Sequence, residues 1–290
     1  MRRYVLILGV IVTTATAAVV VYAQGLGQVP QLVIVDRAGN RMPLGRVEGA
    51  LFAPRVSPLG RRVAYDNGGG VWIDDFATFG QRRLLRGARG DRFPVWMGDE
   101  RRIAFANDLD GQETISWHGL DGTVGSIIRQ PGRAPESWSR QHETLSFIVL
   151  TGNSDYDIWT YSFEDRQASP FAALSGSAQL SSAFSPDGRW IAYESNEAGA
   201  YDIWVEPFPR TGTGSRVRLT TNGRRRPMWS ADGRELFFDD GMRIYAATVQ
   251  PTPAFVIGAP VALPITGFIQ GDARRQYDLM PDGRFLMMFP

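Results

Sequence analysis

Residues 184–193 read Phe184-Ser185-Pro186-Asp187-Gly188-Arg189-Trp190-Ile191-Ala192-Tyr193. Proline fixes φ and glycine tolerates positive φ, so the SPDG element forms a tight turn. The apolar residues on either side of that turn predict two antiparallel strands joined as a hairpin. The same order of aromatic, turn, arginine and apolar-Ala-aromatic residues occurs six times, beginning at residues 56, 96, 138, 184, 229 and 279.

The spacing of these segments, 40 to 50 residues, is typical of one four-stranded propeller blade. An aromatic residue of a third strand follows in five of the repeats, at Trp72, Trp117, Trp159, Trp204 and Tyr245. A fourth strand is expected after it, as over Ser215–Thr220. We therefore predict an all-β fold, a six-bladed β-propeller over residues 31–290.

The two ends of this segment predict how the ring closes. The last repeat stops at Phe289 after two strands, whereas residues 32–35 and 41–44 form two strands around a turn at Gly39-Asn40. These N-terminal strands are the third and fourth strands that the last repeat lacks. Joining both ends in one blade closes the ring and leaves only short sheet edges.

Composition excludes several chemistries. The chain of 290 residues has a formal net charge of +1, no cysteine and no lysine, so all 31 basic residues are arginine. Disulfides, thiolate metal sites and lysine Schiff bases are therefore absent, and the overall charge does not favour nucleic-acid binding.

The first residues have the pattern of an export segment. Arg2 and Arg3 precede 19 uncharged residues, Tyr4 to Tyr22, which as a helix would span about 28 Å. Val21-Tyr22-Ala23 is an acceptable cleavage site. Residues 1–23 are thus predicted to be a signal peptide or an uncleaved signal anchor, and residues 24–30 a linker. Everything after Ala23 is expected outside the cytoplasmic membrane, either periplasmic or anchored and facing the periplasm.

The stacked repeats resemble the TolB-type, WD40-like β-propeller family. Residues 31–290 are also similar to the propeller ectodomain of bacterial transmembrane serine/threonine kinases, on the evidence of residues 35–39, 201–209 and 228–238. Neither the kinase domain nor the α/β domain of TolB has a counterpart among these 290 residues. The resemblance therefore implies a fold and not an activity.

No catalytic set assembles from the sequence. Kinase motifs and a GxSxG nucleophile elbow are absent. His118 and His142 lack the spacing of paired metal ligands, and residues 107–113 lack the ligand pattern of a calcium loop. We therefore expect no cofactor and no metal site, and the sequence favours a non-enzymatic protein.

Arginines concentrate in the connections that enter the first strand of each repeat. Nine arginines and four acidic residues in these connections give a local charge of +5. Such a ring at a channel mouth would attract carboxylates or phosphates, since arginine makes bidentate contacts to both. The alternative is that these arginines pair with acidic hairpins on the same face, Asp239 and Asp240 among them. The candidate ligand-binding residues are Arg55, Arg89, Arg92, Arg133, Arg224, Arg225, Arg226, Arg274 and Arg275.

These observations favour a monomeric binding or scaffold propeller of the bacterial cell envelope, whose partner is an envelope protein or an acidic ligand. Two alternatives stay open. One is a membrane-tethered sensor ectodomain, which requires the leader to be retained. The other is a lyase or glycosidase that acts on an acidic polysaccharide in the channel, where arginines would bind carboxylates.

Overall fold

The computed structural model describes most of the chain from residue 30 onward. The predicted leader and linker, residues 1–29, lie outside the described residues, as do several short connections. The described ranges are 30–46, 51–80, 83–86, 90–98, 100–109, 112–129, 133–151, 155–210, 215–221, 223–250, 255–271 and 274–290.

Six antiparallel sheets form a β-propeller, as predicted. Blade 1 comprises β3 Phe52–Val56, β4 Arg62–Asp66, β5 Val71–Asp75 and β6 Arg83–Arg86. Blade 2 comprises β7 Arg92–Trp96, β8 Arg102–Leu109, β9 Gln112–Gly119 and β10 Val124–Arg129. Blade 3 comprises β11 Arg133–Ser139, β12 Thr144–Thr151, β13 Asp155–Ser162 and β14 Gln167–Ala172.

The remaining blades follow the same order. Blade 4 comprises β15 Gln179–Phe184, β16 Trp190–Ser195, β17 Asp202–Pro207 and β18 Val217–Arg218. Blade 5 comprises β19 Arg225–Trp229, β20 Glu235–Asp239, β21 Arg243–Gln250, β22 Val256–Ile257 and β23 Val261–Thr266. Blade 6 comprises β24 Tyr277–Leu279, β25 Phe285–Phe289, β1 Gln31–Val35 and β2 Arg41–Arg46.

The repeated turn has the predicted chemistry. In blade 4, Gly188 has a φ of +72°, and its N–H donates to the carbonyl of Ser185 at 2.9 Å. The Ser185 hydroxyl donates to Asp187 at 2.6 Å and accepts from the backbone N–H of Trp190 at 3.0 Å. These local bonds align the first two strands of the blade.

The ring closes in blade 6, where strands from both ends of the described chain pair. β1 is antiparallel to β25, with Gln31 opposite Phe289 and Val35 opposite Phe285. Val33 and Val35 belong to the apolar cluster shared with blade 5, whereas Leu32 and Ile34 belong to the cluster shared with blade 1. One strand therefore joins the last blade to both of its neighbours.

Two details differ from the prediction. The fourth strand of blade 4 is only Val217–Arg218, shorter than the expected 215–220. In blade 5 the outer position is shared by β22 and β23, which both pair with β21. A chain with several turn and proline residues after β21 cannot keep one continuous ladder.

Candidate ligand-binding channel

The first strand of each blade lies nearest the axis of the ring. β3, β7, β11, β15 and β19 contact one another in succession, and β24 contacts β3. Four of these inner strands have a non-glycine residue with positive φ at the same place. It lies three residues before the residue at which the repeat begins, which is residue 56, 96, 184 or 229. The residues with positive φ are Ala53, Phe93, Ser181 and Arg226. Each lies within an irregularity of register, so a bulge changes the direction of the inner strand there.

The bulged backbone donates hydrogen bonds to the preceding blade in three of these four cases. The N–H of Ala53 donates to Gln276, that of Phe93 to Asp66, and that of Ser181 to Glu136, at 2.7 to 3.2 Å. A positive φ in these residues costs about 1–3 kcal/mol each. The hydrogen bonds to neighbouring side chains offset that cost and connect the blades around the channel.

Most of the candidate arginines pair with carboxylates of the same chain. Arg89 lies outside the described residues, and the side chain of Arg133 is not described. Of the seven other candidates, six form ion pairs: Arg92 with Glu113, Arg224 with Asp240, Arg225 with Glu194, Arg226 with Asp239, Arg274 with Glu136 and Arg275 with Asp278. Arg224 and Arg226 therefore follow the alternative given above, in which the arginines pair with the acidic residues Asp239 and Asp240.

The pair of Arg226 and Asp239 is buried, with side-chain exposures of 5% and 0%. The guanidinium donates through Nε and Nη2 to the two carboxylate oxygens at 2.8 and 2.7 Å. Asp239 also accepts from the Tyr277 hydroxyl and from the N–H of Gly241. Burial opposes charge on Arg226, but its bonds to Asp239 hold the pKa of Arg226 above its ordinary value.

The pair of Arg274 and Glu136 crosses the channel. Arg274 precedes the inner strand of blade 6 and Glu136 belongs to the inner strand of blade 3, on the opposite side of the ring. Arg274 Nη1 donates to Glu136 at 2.8 Å, and its guanidinium also lies 5.0 Å from the ring of Phe93. Glu136 further accepts from the backbone N–H groups of Ser181 and Ser182, both at 2.7 Å. The channel is therefore spanned by an ion pair.

Arg55 differs from the other arginines of the ring. Its Nη1 donates to the carbonyls of Pro54 and Arg275 at 2.7 and 3.5 Å, and no carboxylate of the described residues pairs with it. Its Nε is buried and has no hydrogen-bond partner among those residues, and the same holds for Arg275 Nε. Burial and the nearby charge of Arg275 lower the pKa of Arg55 to about 9.

An axial cavity of about 280 Å³ adjoins these arginines. Inner strands of four blades and residues of blade 6 contribute to its wall, so the cavity lies on the axis of the ring. Its inner end holds Arg55, Arg275 and Glu136, whereas Pro58, Arg140 and Pro186 belong to turns that follow the inner strands. The cavity therefore extends toward the end opposite the predicted arginine mouth.

Asp66, at the end of β4, is a buried carboxyl beside this ring. Its Oδ2 accepts from the N–H of Phe93 at 3.2 Å. Burial raises the pKa of Asp66 from its ordinary value of 3.8 to about 6. Because the folded state holds this proton more tightly than the unfolded state does, Asp66 contributes stability below pH 4, and that contribution is lost as the pH rises through 6.

We expect Asp66→Asn to gain stability relative to the parent as the pH is raised. Chemical denaturation at pH 4.5 and pH 7.5 should show the difference in unfolding free energy shifting by about 2 kcal/mol in favour of the variant, because the pKa of Asp66 rises from 3.8 in the unfolded chain to about 6 in the folded protein. Asp121→Asn is the control: hydrogen bonds from Thr123 lower the pKa of exposed Asp121, so Asp121 is ionised at both pH values and its replacement should show almost no change between them. A pH-independent difference for Asp66→Asn would show that Asp66 is ionised normally.

The sequence analysis did not identify the other carboxylates as partners of the arginines: Glu113, Glu136, Glu194 and Asp278. Glu194, at the channel side of β16, accepts from Arg225 and from the Ser181 hydroxyl, and burial raises the pKa of Glu194. Glu194 follows Tyr193, the aromatic residue that ends the repeated apolar-Ala-aromatic segment of the second strand. This position is recognisable only when the repeats of the chain are aligned with one another. His142, by contrast, lies in a turn as expected, with its Nε2 3.1 Å from the carbonyl of Gly188.

The described residues contain neither a candidate metal centre nor a membrane-spanning helix. No group of three or more histidine, aspartate and glutamate side chains in the described part of the chain could hold a metal ion. No helix within those same ranges is long and apolar enough to cross a bilayer.

Comparison with known proteins supports the fold. No family model and no curated protein matches the sequence. A putative TolB from Agrobacterium tumefaciens is similar in structure, with a TM-score of 0.67 and 15% identity over 90% of this chain and 98% of that one. TolB from Acinetobacter baumannii gives a TM-score of 0.56 and 18% identity over 89% of this chain, which spans 63% of that protein.

An enzyme shares the same architecture. An oligogalacturonate lyase in complex with manganese gives a TM-score of 0.60 and 16% identity, over 86% of this chain and 80% of the lyase. At such identities a structural likeness reports the fold and not the chemistry. The chain therefore has the TolB-like six-bladed β-propeller fold.

Proposed function

We propose that this protein is a non-enzymatic binding propeller of the bacterial cell envelope, which engages acidic groups of an envelope protein through its channel. The observation that carries the proposal is a buried arginine on the axis that has no ion-pair partner among the described residues. Arg55 lies close to Arg274 and Arg275, and Arg55 has no carboxylate partner among the described residues. A buried, incompletely bonded cation is costly, and an anionic group of a partner would stabilise it.

An acidic peptide tests this proposal. A labelled hexaglutamate should bind the full chain, hexaglutamine should not, and added salt should weaken the binding. Arg224→Gln should reduce both the affinity and its salt dependence, because it removes one cation from the mouth. The variant should remain folded, because the side chain of Asp240, the partner of Arg224, is 17% exposed and so is not left fully buried. Arg225 and Arg226 suit this test poorly, because their partners Glu194 and Asp239 are fully buried. Equal binding of the two peptides would refute the proposal.

The envelope location rests on the predicted leader. Expression in a Gram-negative host, followed by fractionation and determination of the N-terminus, would distinguish a cleaved signal peptide from a retained signal anchor. A soluble periplasmic product that begins at Gln24 fits a freely diffusing binding protein. A membrane-bound product that retains residues 4–22 fits the tethered sensor, and a cytoplasmic product would contradict both.

A lyase acting on an acidic saccharide has less support. Asp66 and Glu194 have raised pKa values, as a general acid requires. Both, however, are held by bonds that organise the ring: Asp66 accepts from Phe93, and Glu194 accepts from Arg225. Incubation with oligogalacturonate, followed by absorbance of an unsaturated product, would decide the matter.

A further inference from the structure

The axial cavity combines an apolar wall with a cationic end. Its wall is lined by Val56, Val95, Trp96, Trp138 and Phe184, which come from four successive blades. Arg55 and Arg275 lie at its inner end, together with Asp278 and Glu136. A few polar groups at one end of an apolar pocket is the arrangement that orients a small ligand.

Two of the three arginines around the inner end are held in direct ion pairs, and the third is not. Arg274 is neutralised by Glu136 and Arg275 by Asp278, which also accepts the N–H of Val56 at 2.8 Å. Arg55 has no ion-pair partner among the described residues, although the charges of Asp278 and Asp66 favour its protonated form from further away. A ligand carboxylate in contact with Arg55 would supply the direct ion pair that it lacks.

The bonding of the two arginines leaves capacity for that charge. Arg55 uses only Nη1 in hydrogen bonds, and Arg275 uses Nη2 toward Asp278 at 2.9 Å. Their Nε groups have no partner among the described residues. Trp138 Nε1, in the apolar wall, also lacks one there. Three buried donors without a partner among the described residues therefore belong to side chains that line this cavity, whereas others, such as Trp159 Nε1 and Trp204 Nε1, lie elsewhere in the blades.

The size of the cavity limits the ligand. Its volume of about 280 Å³ is near the lower end of the range of roughly 300–1,000 Å³ that ligand pockets occupy. The ion pair of Arg274 and Glu136 spans the channel at the inner end, so a long polymer would have no clear passage through the ring. The geometry suits a small molecule or the end of a chain.

We propose that the axial cavity binds a carboxylate carried on a small apolar or aromatic group, with Arg55 and Arg275 contacting the carboxylate and Trp96 and Trp138 the apolar group. This inference rests on the proposed function and specifies the chemistry of its ligand. The carboxylate enters from the end that carries the turns after the inner strands. Its source is either a free small acid or the C-terminus of a peptide.

The test uses the full chain and matched probes. We expect 3-phenylpropionate to bind by calorimetry and to change the tryptophan fluorescence, and 3-phenylpropionamide to bind at least about 10-fold more weakly, as loss of a charged hydrogen bond predicts. N-acetyl-Ala-Phe and its C-terminal amide distinguish the two sources: a preference for the acid form of the dipeptide indicates a chain end. Binding of phenylpropionate alone indicates a small acid.

Variants locate the site. Arg55→Met should weaken binding of 3-phenylpropionate by about 10-fold or more, and Arg275→Met should do the same if the chain remains folded. Arg55→Met leaves no paired carboxylate without its partner, so it keeps the test valid even if Arg275→Met unfolds. Arg284→Met is the matched control, since Arg284 pairs with Asp282 in an exposed turn. Its affinity should equal that of the parent.

Two outcomes would overturn the inference. Equal binding of acid and amide probes, or unchanged affinity in folded Arg55→Met, would show that the cavity does not recognise a carboxylate through these residues. If hexaglutamate still bound in that case, the proposed function would stand and the cavity assignment alone would fail. If hexaglutamate did not bind at all, the proposed function itself would fail.

Discussion

A chain that lacks residues 31–47 will lose its cooperative unfolding transition. β1 supplies the strand that pairs with β25, and its four apolar residues, 32–35, have relative exposures of 1 to 5%. Burying side chains of this kind contributes about 1.5–3 kcal/mol each. Because these residues pack alternately against blade 5 and blade 1, the deletion opens the ring at both seams.

Denaturant titration followed by circular dichroism and by tryptophan fluorescence measures this effect. We expect coincident sigmoidal transitions for the parent and broad, non-coincident ones for the deletion. A peptide of residues 31–47 added in excess should restore part of the transition. A deletion variant with the cooperativity of the parent would contradict closure by these strands.

Point substitutions provide a matched comparison within the same hairpin. Val35→Asp places a charge in the cluster shared with blade 5, where Val35 is 1% exposed. Met42→Asp introduces the same side chain in β2 at a residue that is 48% exposed. We expect a severe loss of stability in the first variant and little change in the second.

Arg226→Met should be the most destabilising single replacement among the arginines of the ring. It leaves Asp239 charged and buried, and breaking a buried ion pair in this way costs about 3–5 kcal/mol. Methionine keeps a Cβ and an apolar stem at a residue whose φ is +59°, so the backbone preference changes little. The free energy of unfolding from denaturant titration gives the loss directly.

Two further variants identify the cause of that loss. Asp239→Asn in the Arg226→Met background removes the unpaired charge and should recover a substantial part of the stability, which a double-mutant cycle quantifies. Arg37→Met is the exposed counterpart: Arg37 makes a bidentate contact to Glu235 at 2.6 and 2.7 Å, and its side chain is 46% exposed. Its loss should cost less than about 1 kcal/mol. Equal losses for Arg37→Met and Arg226→Met would exclude burial as the cause.

The repeats predict the blades because their signals are local. The conformation of each SPDG-type turn is set by residues within the turn itself, above all by its glycine. The positive φ that such turns require is found at Gly60, Gly188, Gly233 and Gly283. Counting strands at the two ends was then enough to predict closure through β1 and β25. Both inferences needed only the order of residues along the chain.

The ion pairs inside the channel cannot be predicted from a local sequence pattern in this way. Glu136 and Arg274 meet although 138 positions separate them, because the ring places blades 3 and 6 on opposite sides of one axis. Arg226 reaches Asp239 from a bulged residue, and nothing in its neighbours Arg225 and Pro227 distinguishes it as the buried member of the arginine triplet. Charge counting could therefore locate the cations, but it could not tell which of them are already neutralised.

The pairing of β1 with β25 also determines when the ring can close during synthesis. Val35 is among the first residues of the ring to be made, and its partner Phe285 follows 250 positions later. At about 5–20 residues per second, roughly 12–50 s pass between the two. Until then the β1–β2 hairpin has an unpaired edge and apolar faces, and a two-stranded hairpin is marginal alone. A chain that stops before β25 therefore keeps exposing residues 32–35, which makes ring closure a check that synthesis has passed Phe289.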